Sequence, residues 1–433
     1  VYNRTVVTAA QAPRMFADAV QAAIANRGVA HLALPTDVAA MTTRDAAHQV
    51  FVDRPRTVPS DEHLDAAAKL LAEADKPVLF AGIGAAGAVE ELVALGERLN
   101  APIIHSLRGK DLLPDDHPLN IGGLGMLGGK PAVKAMNECD VLLMVGTDFP
   151  YEDFYSDSTR AIQIESNPLR LGRRHPLEVG LIGHAKPTLA KLLERIKASN
   201  KQGLLKEARK HRQHQLDHFA KQEAKEASPV PPQAVAARAC ALANDDAIFL
   251  ADTGEVTVWC ARHLHLRGRQ RMTQSGQLAS MAFGLPAAIG TQLAYPDRQV
   301  VALCGDGGFS MLMVDFLTAV KYELPITVIV FNNHKLGLIQ AEQESSALPE
   351  YAVQLHNPDF AEYARLCGGE GWNVKHTNEL NAAIKAAYSS GKPSLIDVEV
   401  DPEALPMPPE ISMNQAINFS IGKLKEMAER FDF

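Results

Sequence analysis

The chain has 433 residues, of which 46% are hydrophobic and 22% are charged, and its formal net charge is −8. This length exceeds what a single hydrophobic core normally serves, so we expect two or three domains. The negative charge, without any block of Lys or Arg, gives no reason to expect a nucleic-acid partner, and no run approaches the roughly 18 apolar residues of a membrane span.

Residues 1–55 are predicted to be the C-terminal remnant of an α/β domain and the linker after it. Apolar residues at helical spacing indicate a helix over 14–27, and the apolar run at 29–34 indicates a strand that ends before Pro35. One helix and one strand cannot bury a core on their own. We therefore expect the beginning of this domain to lie outside the sequence.

Residues 56–198 are predicted to form a middle domain. Short apolar runs alternate with amphipathic stretches, the pattern of a parallel, doubly wound sheet whose strands are connected by helices. The predicted strands cover 78–81, 102–105, 141–145 and 161–165, and the predicted helices cover 62–73, 88–99 and 187–197. A polar stretch at 199–232, which ends in Ser-Pro-Val-Pro-Pro, is interpreted as a solvated charged helix and a stiff linker.

A second α/β domain is predicted over 233–405, and a tail over 406–433. The tail has apolar residues at helical spacing. We expect it to dock on its own subunit, with peripheral contact to the inner face of a membrane as the alternative. The predicted fold class is therefore α/β, with Rossmann-like doubly wound domains and the end of an N-terminal α/β domain. The predicted strands of the second domain cover 247–251, 299–303, 326–332 and 394–400.

The clearest chemical signal lies in residues 299–333. One strand ends in Gly-Asp-Gly-Gly at 305–308, a helix is predicted over 310–323, and the next strand ends in Asn332-Asn333. In a right-handed βαβ unit both strands end at the same edge of the sheet, so the Asp306 carboxylate and the Asn333 amide should converge. Oxygen ligands suit Mg²⁺, and glycines let the backbone approach phosphate groups. A plain turn is the alternative for Gly-Asp-Gly alone, but the Asn pair favours the metal site.

Gly-Asp-Gly followed by Asn-Asn in this strand–helix–strand setting resembles the thiamine-diphosphate signature. Over the whole chain the sequence is most similar to the pyruvate oxidase and pyruvate:quinone oxidoreductase family, in stretches such as 305–316, 146–151 and 407–415. The resemblance implies that Mg²⁺ is bound by Asp306, Asn333 and the backbone carbonyl of Lys335.

The same resemblance implies the contacts of thiamine diphosphate and of the substrate. Met281 would be the apolar residue beneath a bent cofactor, with a plain core residue as the alternative. Leu338, Ile339 and Glu342 follow the predicted Mg²⁺ ligands in the sequence and are expected to face the substrate. The implied contacts of thiamine diphosphate are Asp252, Thr253, Gly254, Ala279, Ser280, Met281, Asp306, Gly307, Gly308, Asn333, His334, Lys335, Leu336, Gly337, Leu338 and Ile339.

The middle domain carries a glycine-rich loop, Gly-Ile-Gly-Ala-Ala-Gly, at 82–87 after a predicted strand. A nicotinamide site would need an acidic residue at the end of the next strand, and 102–106 has none. The resemblance implies an FAD-binding module instead, although the family usually has Asp where Glu165 stands and often Asp where His184 stands. An empty, vestigial domain is the alternative. The implied FAD contacts are Leu124, Gly125, Met126, Leu127, Thr147, Asp148, Phe149, Pro150, Tyr151 and Glu165.

The resemblance implies oxidative decarboxylation of pyruvate to acetate or acetyl phosphate and CO₂, with electrons passing to quinone or O₂. The alternatives are an acetolactate synthase-like carboligase, another thiamine-diphosphate decarboxylase, and a non-catalytic subunit. Synthases usually have Gln-Trp where this chain has Ala341-Glu342, which favours the oxidase. Pyruvate oxidases often have an aromatic residue where Leu338 stands.

An oligomer in the cytoplasm is also expected. The five cysteines stand singly, without CxxC spacing, and no apolar signal segment is present. In the family the cofactor lies between two subunits, so the resemblance implies at least a dimer, and we expect a tetramer. The glutamate that activates the cofactor belongs to the first domain. No residue of this chain is therefore assigned the catalytic role, and the 433-residue chain alone is expected to be inactive.

Overall fold

The computed structural model describes residues 1–50, 56–404, 406 and 409. The chain divides into two compact units, Val1–Thr57 and Val58–Phe433. Among the described helices, none is both long enough and apolar enough to cross a membrane. The prediction for the tail at 406–433 falls almost wholly outside the described residues.

The first unit is a small α/β arrangement. β1 (Tyr2–Thr5) pairs in parallel with β2 (Ala30–Ala33), α1 (Ala12–Asn26) connects them, and α2 (Thr36–Ala39) follows. α1 has a proline in its first turn, where no intrahelical hydrogen bond is lost, and the left-handed backbone of Arg27 (φ 47°) ends it. The predicted helix and strand are both present. β1 was not predicted because its four residues are short of apolar side chains.

The second unit opens with a six-stranded, fully parallel sheet. Its elements are α3 (Asp61–Glu73), β3 (Pro77–Ala81), α4 (Val89–Leu99), β4 (Ile103–His105), β5 (Asn120–Gly123), α5 (Lys130–Glu138), β6 (Val141–Val145), β7 (Arg160–Glu165), β8 (Val179–Ile182) and α6 (Ala185–Arg195). The strand order β5-β4-β3-β6-β7-β8 reverses direction between β3 and β6. Such a reversal opens a crevice at the carboxyl ends of the strands, where ligands of α/β proteins bind.

Both faces of this sheet are covered by apolar side chains. On β3, Leu79 and Ala81 belong to the core shared with α3, α4 and α6, whereas Val78 and Phe80 belong to the core shared with α5. Burial on both faces is what a parallel sheet requires. The predicted doubly wound α/β class is confirmed, and the four strands predicted here are present. The edge strands β5 and β8 were not predicted because both are short and contain glycine.

The charged stretch after this sheet forms α7 (Leu205–Glu223), and it is not the solvated helix predicted from its composition. Ala208, Arg212 and Phe219 are buried. Arg212 is accommodated because its Nη2 donates to Oδ1 of Asp115 at 3.0 Å, which pairs the buried charge. α7 therefore packs into the molecule along one face. The predicted boundaries at 198/199 and 232/233 stay predictions.

The second sheet is also six-stranded and fully parallel. Its elements are α8 (Pro232–Leu242), β9 (Ile248–Ala251), α9 (Glu255–His263), β10 (Arg271–Gln274), α10 (Gly284–Ala294), β11 (Val300–Gly305), α11 (Asp306–Leu312), α12 (Phe316–Lys321), β12 (Thr327–Asn332), α13 (Gly337–Ser345), α14 (Phe360–Leu366), β13 (Glu370–Val374), α15 (Thr377–Ser389) and β14 (Ser394–Glu399). The strand order is β10-β9-β11-β12-β14-β13. The four predicted strands are all present.

The helix predicted over 310–323 differs from the observed structure. The helical backbone already begins at Asp306, directly after β11, and a 3₁₀ turn at Met313–Asp315 separates α11 from α12. Two glycines in the first turn of α11 are poor helix formers, which is why the prediction placed the start later. The earlier start brings the Asp306 carboxylate to the N-terminus of a helix at the sheet edge.

Candidate active site

The register of the second sheet brings three strand ends together. Leu303 on β11 lies opposite Ala251 on β9, and Gly305 lies opposite Phe331 on β12. The residues that follow these strands therefore meet at one edge, around a cleft of about 270 Å³. The predicted site residues that line the cleft are Thr253, Gly254, Ala279, Met281, Asp306, Gly307, Gly308, Asn333, Lys335, Leu336, Gly337, Leu338, Ile339 and Glu342.

Asp306 is buried at the base of the cleft. Its Oδ1 accepts a hydrogen bond from the Gly307 N–H at 2.9 Å, and its Oδ2 accepts one from Nδ2 of Asn357 at 2.7 Å. Burial raises the pKa of Asp306 to about 6, although the bond from Asn357 opposes the shift. Asn357 was not predicted, because nothing in the sequence associates it with the Gly-Asp-Gly segment 51 residues earlier.

Asn333 lies beside a second carboxylate that the sequence did not indicate. Its Nδ2 donates to Oε2 of Glu255 at 3.0 Å, and its Oδ1 accepts from the Lys335 N–H at 3.1 Å. Burial, and next the negative charge of Asp306, raise the pKa of Glu255 to about 7. The one signal for Glu255 is that it follows Asp-Thr-Gly, the turn predicted to contact thiamine diphosphate, and is the first residue of α9.

The oxygen atoms around Asp306, Asn333 and Glu255 fit a divalent cation. Burial raises the pKa of both carboxyls, and the charge of Asp306 raises the pKa of Glu255 further. A cation beside them would favour their ionised forms. The nearby Lys335 amine is directed to Glu350 at 3.3 Å and also approaches Glu403. A set made only of oxygen donors is the one that Mg²⁺ prefers.

Two glycines at the cleft leave room for carboxylates that pack against them. A Cβ on Gly337 would overlap the Glu255 carboxylate, and a Cβ on Gly308 would overlap Oδ2 of Asp252. α9 and α13 both begin at the cleft and direct their N-termini toward it. Exposed N–H groups at helix N-termini bind phosphate oxygens, so the cleft also fits a diphosphate group.

Asp252, Ser280 and His334 were predicted as contacts but do not line the cleft. Asp252 is fully buried, and its Oδ1 accepts from the N–H groups of Thr253 at 2.7 Å and Phe283 at 3.1 Å. It thereby holds the turn that carries Met281. Met281 itself lines the cleft, with its terminal methyl group close to Gly307.

The glycine-rich loop of the first sheet has a structural role that the sequence did not reveal. Gly82 and Gly84 lie against the backbone of Gly146, and the Gly84 N–H donates to the Gly146 carbonyl at 3.0 Å. A side chain at either position would overlap the Gly146 loop. These glycines therefore bring together the loops after β3 and β6, where the strand order reverses.

The segments predicted to contact FAD lie at the carboxyl ends of the strands of the first sheet. Some of their side chains are buried and others are exposed. Gly125 (φ 98°) packs on the ring of Phe149, so the two segments meet. Phe149 is buried, whereas Met126 and Tyr151 are about half exposed and offer apolar surface to a ring system. These two side chains give this edge of the sheet an exposed apolar surface.

The two acidic residues predicted to contact FAD, Asp148 and Glu165, both bind neighbouring groups of the protein. Asp148 pairs with Arg174 at 3.0 Å and with Arg173 at 3.5 Å. Oε1 of the buried Glu165 accepts a hydrogen bond from the Asn167 N–H at 2.9 Å, so this carboxylate stabilises the turn after β7. The remaining predicted residues, Leu124, Leu127, Thr147 and Pro150, lie in the loops after β5 and β6.

Arg262, near the end of α9, connects the second sheet to the loop after β5. Its Nη2 donates to the Met126 carbonyl at 3.0 Å, and its Nε lies 3.3 Å and 3.2 Å from the carbonyls of Leu127 and Gly128. Burial lowers the pKa of Arg262 to about 10. No sequence pattern indicated this contact, because it joins residues more than 130 positions apart.

Comparisons with known proteins agree with this architecture. The thiamine pyrophosphate enzyme central domain matches residues 64–192, and the C-terminal TPP binding domain of the same enzymes matches residues 252–398. These matches cover most of both six-stranded sheets. The chain belongs to the thiamine pyrophosphate enzyme family.

Relatives within the family differ in their described reactions. The chain is 39% identical to a putative thiamine pyrophosphate-containing protein, YdaP, of Bacillus subtilis, an alignment that covers 100% of the chain and 76% of the relative. It is 28% identical to the pyruvate oxidase of Lactiplantibacillus plantarum, with coverages of 100% and 73%. It is 30% identical to a probable acetolactate synthase large subunit of Methanocaldococcus jannaschii, with coverages of 94% and 73%.

Proposed function

We propose that the protein oxidatively decarboxylates pyruvate, using thiamine diphosphate, Mg²⁺ and FAD. Glu342 is the observation that carries the choice of reaction. It lines the cleft beside Leu338 and Ile339, and its side chain is exposed to solvent. Acetolactate synthases usually have the tryptophan of Gln-Trp at this position. Glu342 offers no indole surface on which a second 2-keto acid could pack, so carboligation lacks a formed site here.

Different residues of the cleft would hold the metal ion and the diphosphate group of the cofactor. Asp306 and Asn333, with Glu255 beside them, would hold Mg²⁺, and the N-termini of α9 and α13 would bind the diphosphate oxygens. When bound, thiamine diphosphate supplies the nucleophilic carbon and the electron sink for decarboxylation, and FAD supplies the two-electron acceptor. Met281 and Leu336 line the cleft with apolar groups, which excludes water from the reacting carbon.

The proposed overall reaction is balanced once an external electron acceptor takes part. Pyruvate and water give acetate and CO₂, and two protons and two electrons leave to the flavin and then to quinone or O₂. With phosphate in place of water, the product is acetyl phosphate. The hydrogen bond from Arg262 to the Met126 carbonyl supports a flavin close to the cleft. Through it, α9 contacts the loop expected to bind FAD, and the other end of the same helix lines the cleft.

An acetolactate synthase-like carboligation is the second candidate. The observation that favours it is the similarity at 30% identity to the acetolactate synthase of M. jannaschii, which is comparable to the similarity to the pyruvate oxidase. Both reactions begin with the same decarboxylation. They differ in whether electrons leave to an acceptor or a second keto acid adds to the bound carbon.

The test is a product balance with the intact natural protein, pyruvate, Mg²⁺, thiamine diphosphate, FAD and an artificial electron acceptor. We expect one acceptor molecule reduced by two electrons for each CO₂ released, and no acetolactate. The variant Glu342→Trp restores the residue that synthases usually have at this position, and we expect it to release a measurable fraction of acetolactate. Acetolactate as the main product of the natural protein, with the acceptor left oxidised, would refute the proposed oxidation.

A further inference from the structure

Three side chains that could bind a metal ion meet near the C-terminal end of α9, and none of the three lines the cleft. Glu223 is the last residue of α7, His263 is the last residue of α9, and His265 follows two positions later. Oε1 of Glu223 lies 2.7 Å from Nδ1 of His263 and 2.8 Å from Nε2 of His265. One ligand atom from each residue lies within 4.8 Å of the others. Among the described residues, this is the one cluster of three such side chains.

The surroundings of the cluster are partly apolar and partly open. His263 is 2% exposed and Glu223 is 14% exposed, and the ring centre of Phe219 lies 4.5 Å from that of His263. His265 is 34% exposed, so the cluster is reachable from solvent on one side. The nearby positive charge is Arg262, which is directed to backbone carbonyls of the 126–128 loop.

A metal ion at the cluster would replace the protons that now join the three side chains. Nδ1 of His263 and Nε2 of His265 both face Oε1 of Glu223 and are the ring nitrogens that would bind the ion, so binding releases the protons between them.

We propose that Glu223, His263 and His265 form a binding site for Zn²⁺, separate from the cofactor cleft. Two imidazoles and one carboxylate are a ligand set typical of Zn²⁺, whereas Mg²⁺ prefers oxygen ligands alone. Bonds of about 2.0–2.1 Å in a tetrahedral site place ligand atoms roughly 3.3 Å apart, so the observed separations need to widen by about half an ångström. Water entering beside His265 completes the coordination.

The site would fix α7 to the end of α9. α7 packs against α5 and α8, and His263 lies about 12 Å along α9 from Glu255. Zn²⁺ at the cluster therefore braces the end of α9 that is opposite Glu255. Because the ion competes with protons for the imidazole nitrogens, the affinity for Zn²⁺ falls as the solution becomes more acidic.

The test is isothermal titration calorimetry of Zn²⁺ into the chelator-treated full-length protein, prepared without a polyhistidine tag. Excess Mg²⁺ is present so that the oxygen ligands of the cleft are occupied. We expect one saturable Zn²⁺ site per chain. Loss of an outer-shell partner costs about 10- to 100-fold in affinity, so His265→Gln and Glu223→Gln, which remove direct ligands, should weaken binding by about 100-fold or more.

The matched control is His211→Gln, which lies on α7, the helix that also carries Glu223. His211 also pairs with a glutamate, Glu207, at 3.3 Å, but no second histidine joins that pair among the described residues. The control should bind Zn²⁺ as the natural protein does. Co²⁺ in place of Zn²⁺ should give visible d–d absorption that His265→Gln abolishes and His211→Gln retains. Absence of a saturable site, or a site unchanged by His265→Gln, would overturn the proposal.

Discussion

The side-chain amide of Asn333 donates a hydrogen bond to Glu255 at 3.0 Å, across the edge of the second sheet. Glu255 thus orients the amide of a predicted metal ligand and adds a negative charge next to Asp306. We expect Glu255→Gln to weaken Mg²⁺-dependent binding of thiamine diphosphate by about tenfold, equivalent to about 1.4 kcal/mol. Calorimetric titration measures this, with Glu342→Gln, which removes a carboxylate elsewhere in the cleft, as the control. Equal affinities for Glu255→Gln and the natural protein would contradict the role.

Replacement of Asp306 should separate binding from stability. Asp306→Asn keeps the shape but removes the charged ligand, so we expect loss of about 100-fold or more in Mg²⁺-dependent cofactor affinity. Burial raises the pKa of this carboxyl to about 6, which means that its charge is unfavourable in the metal-free protein. Removal of that charge offsets the loss of one of the two hydrogen bonds that Asp306 accepts, so the melting temperature of the metal-free variant should change little. A variant that keeps normal cofactor affinity would show that Asp306 is not a metal ligand.

Two glycine replacements should have opposite effects on stability. A Cβ on Gly308 would overlap the buried Asp252 carboxylate, so Gly308→Ala should lower the free energy of unfolding by about 1–3 kcal/mol. Gly290 lies inside α10, and a Cβ added there would meet no atom within 4 Å. Gly290→Ala should raise the free energy of unfolding by about 0.5–1 kcal/mol through helix propensity. Denaturant titrations measure both, and equal changes would refute the steric explanation.

The sequence predicted the meeting of Asp306 and Asn333 because adjacent parallel strands fix where their ends lie. It did not predict Glu255, although the adjoining Asp252-Thr253-Gly254 turn was expected at the site. It also did not predict Asn357, which contacts Asp306 from 51 residues further along the chain. The burial of Arg212 was missed for a related reason. A charged residue in a polar stretch is predicted to be solvated unless its partner, here Asp115, is known. Local patterns thus indicated strands and turns, whereas pairings between distant segments required the fold.

Loss of the Arg262 guanidinium should loosen the loop after β5. Its bonds to the carbonyls of Met126, Leu127 and Gly128 would be removed in Arg262→Ala. We expect faster amide hydrogen exchange in residues 124–129 and, where FAD binds as proposed, weaker FAD affinity. Thiamine diphosphate affinity should change little. Arg262→Lys keeps one charged donor group, so its exchange rates should lie between those of the natural protein and those of Arg262→Ala. Exchange rates equal to those of the natural protein would show that the loop is held by other contacts.

The buried His105 should make stability depend on pH. Burial, and next the charge of Lys110, lower the pKa of His105 from 6.5 to about 4. The unfolded state therefore binds more protons between these values, so the contribution of His105 is complete above pH 6.5 and falls as the pH drops toward 4. The loss over this window is up to about 3 kcal/mol.

This dependence is measured by comparison with His105→Gln, which cannot titrate. The difference in unfolding free energy between the natural protein and the variant should shrink as the pH falls from about 7 to about 4. The comparison cancels the buried acids, whose raised pKa values act in the opposite direction. A difference that stays constant with pH would mean that His105 titrates normally in the folded protein.

The length of α9 limits which sequence changes the molecule can tolerate. Glu255 and Arg262 stand seven residues apart on this helix and contact different parts of the molecule, Asn333 at one end and the carbonyls of the 126–128 loop at the other. One inserted residue would rotate everything after it by about 100° and shift it by about 1.5 Å, so the two contacts could not both survive. We expect insertions and deletions among natural relatives to avoid residues 255–262, while the loops at either end vary in length.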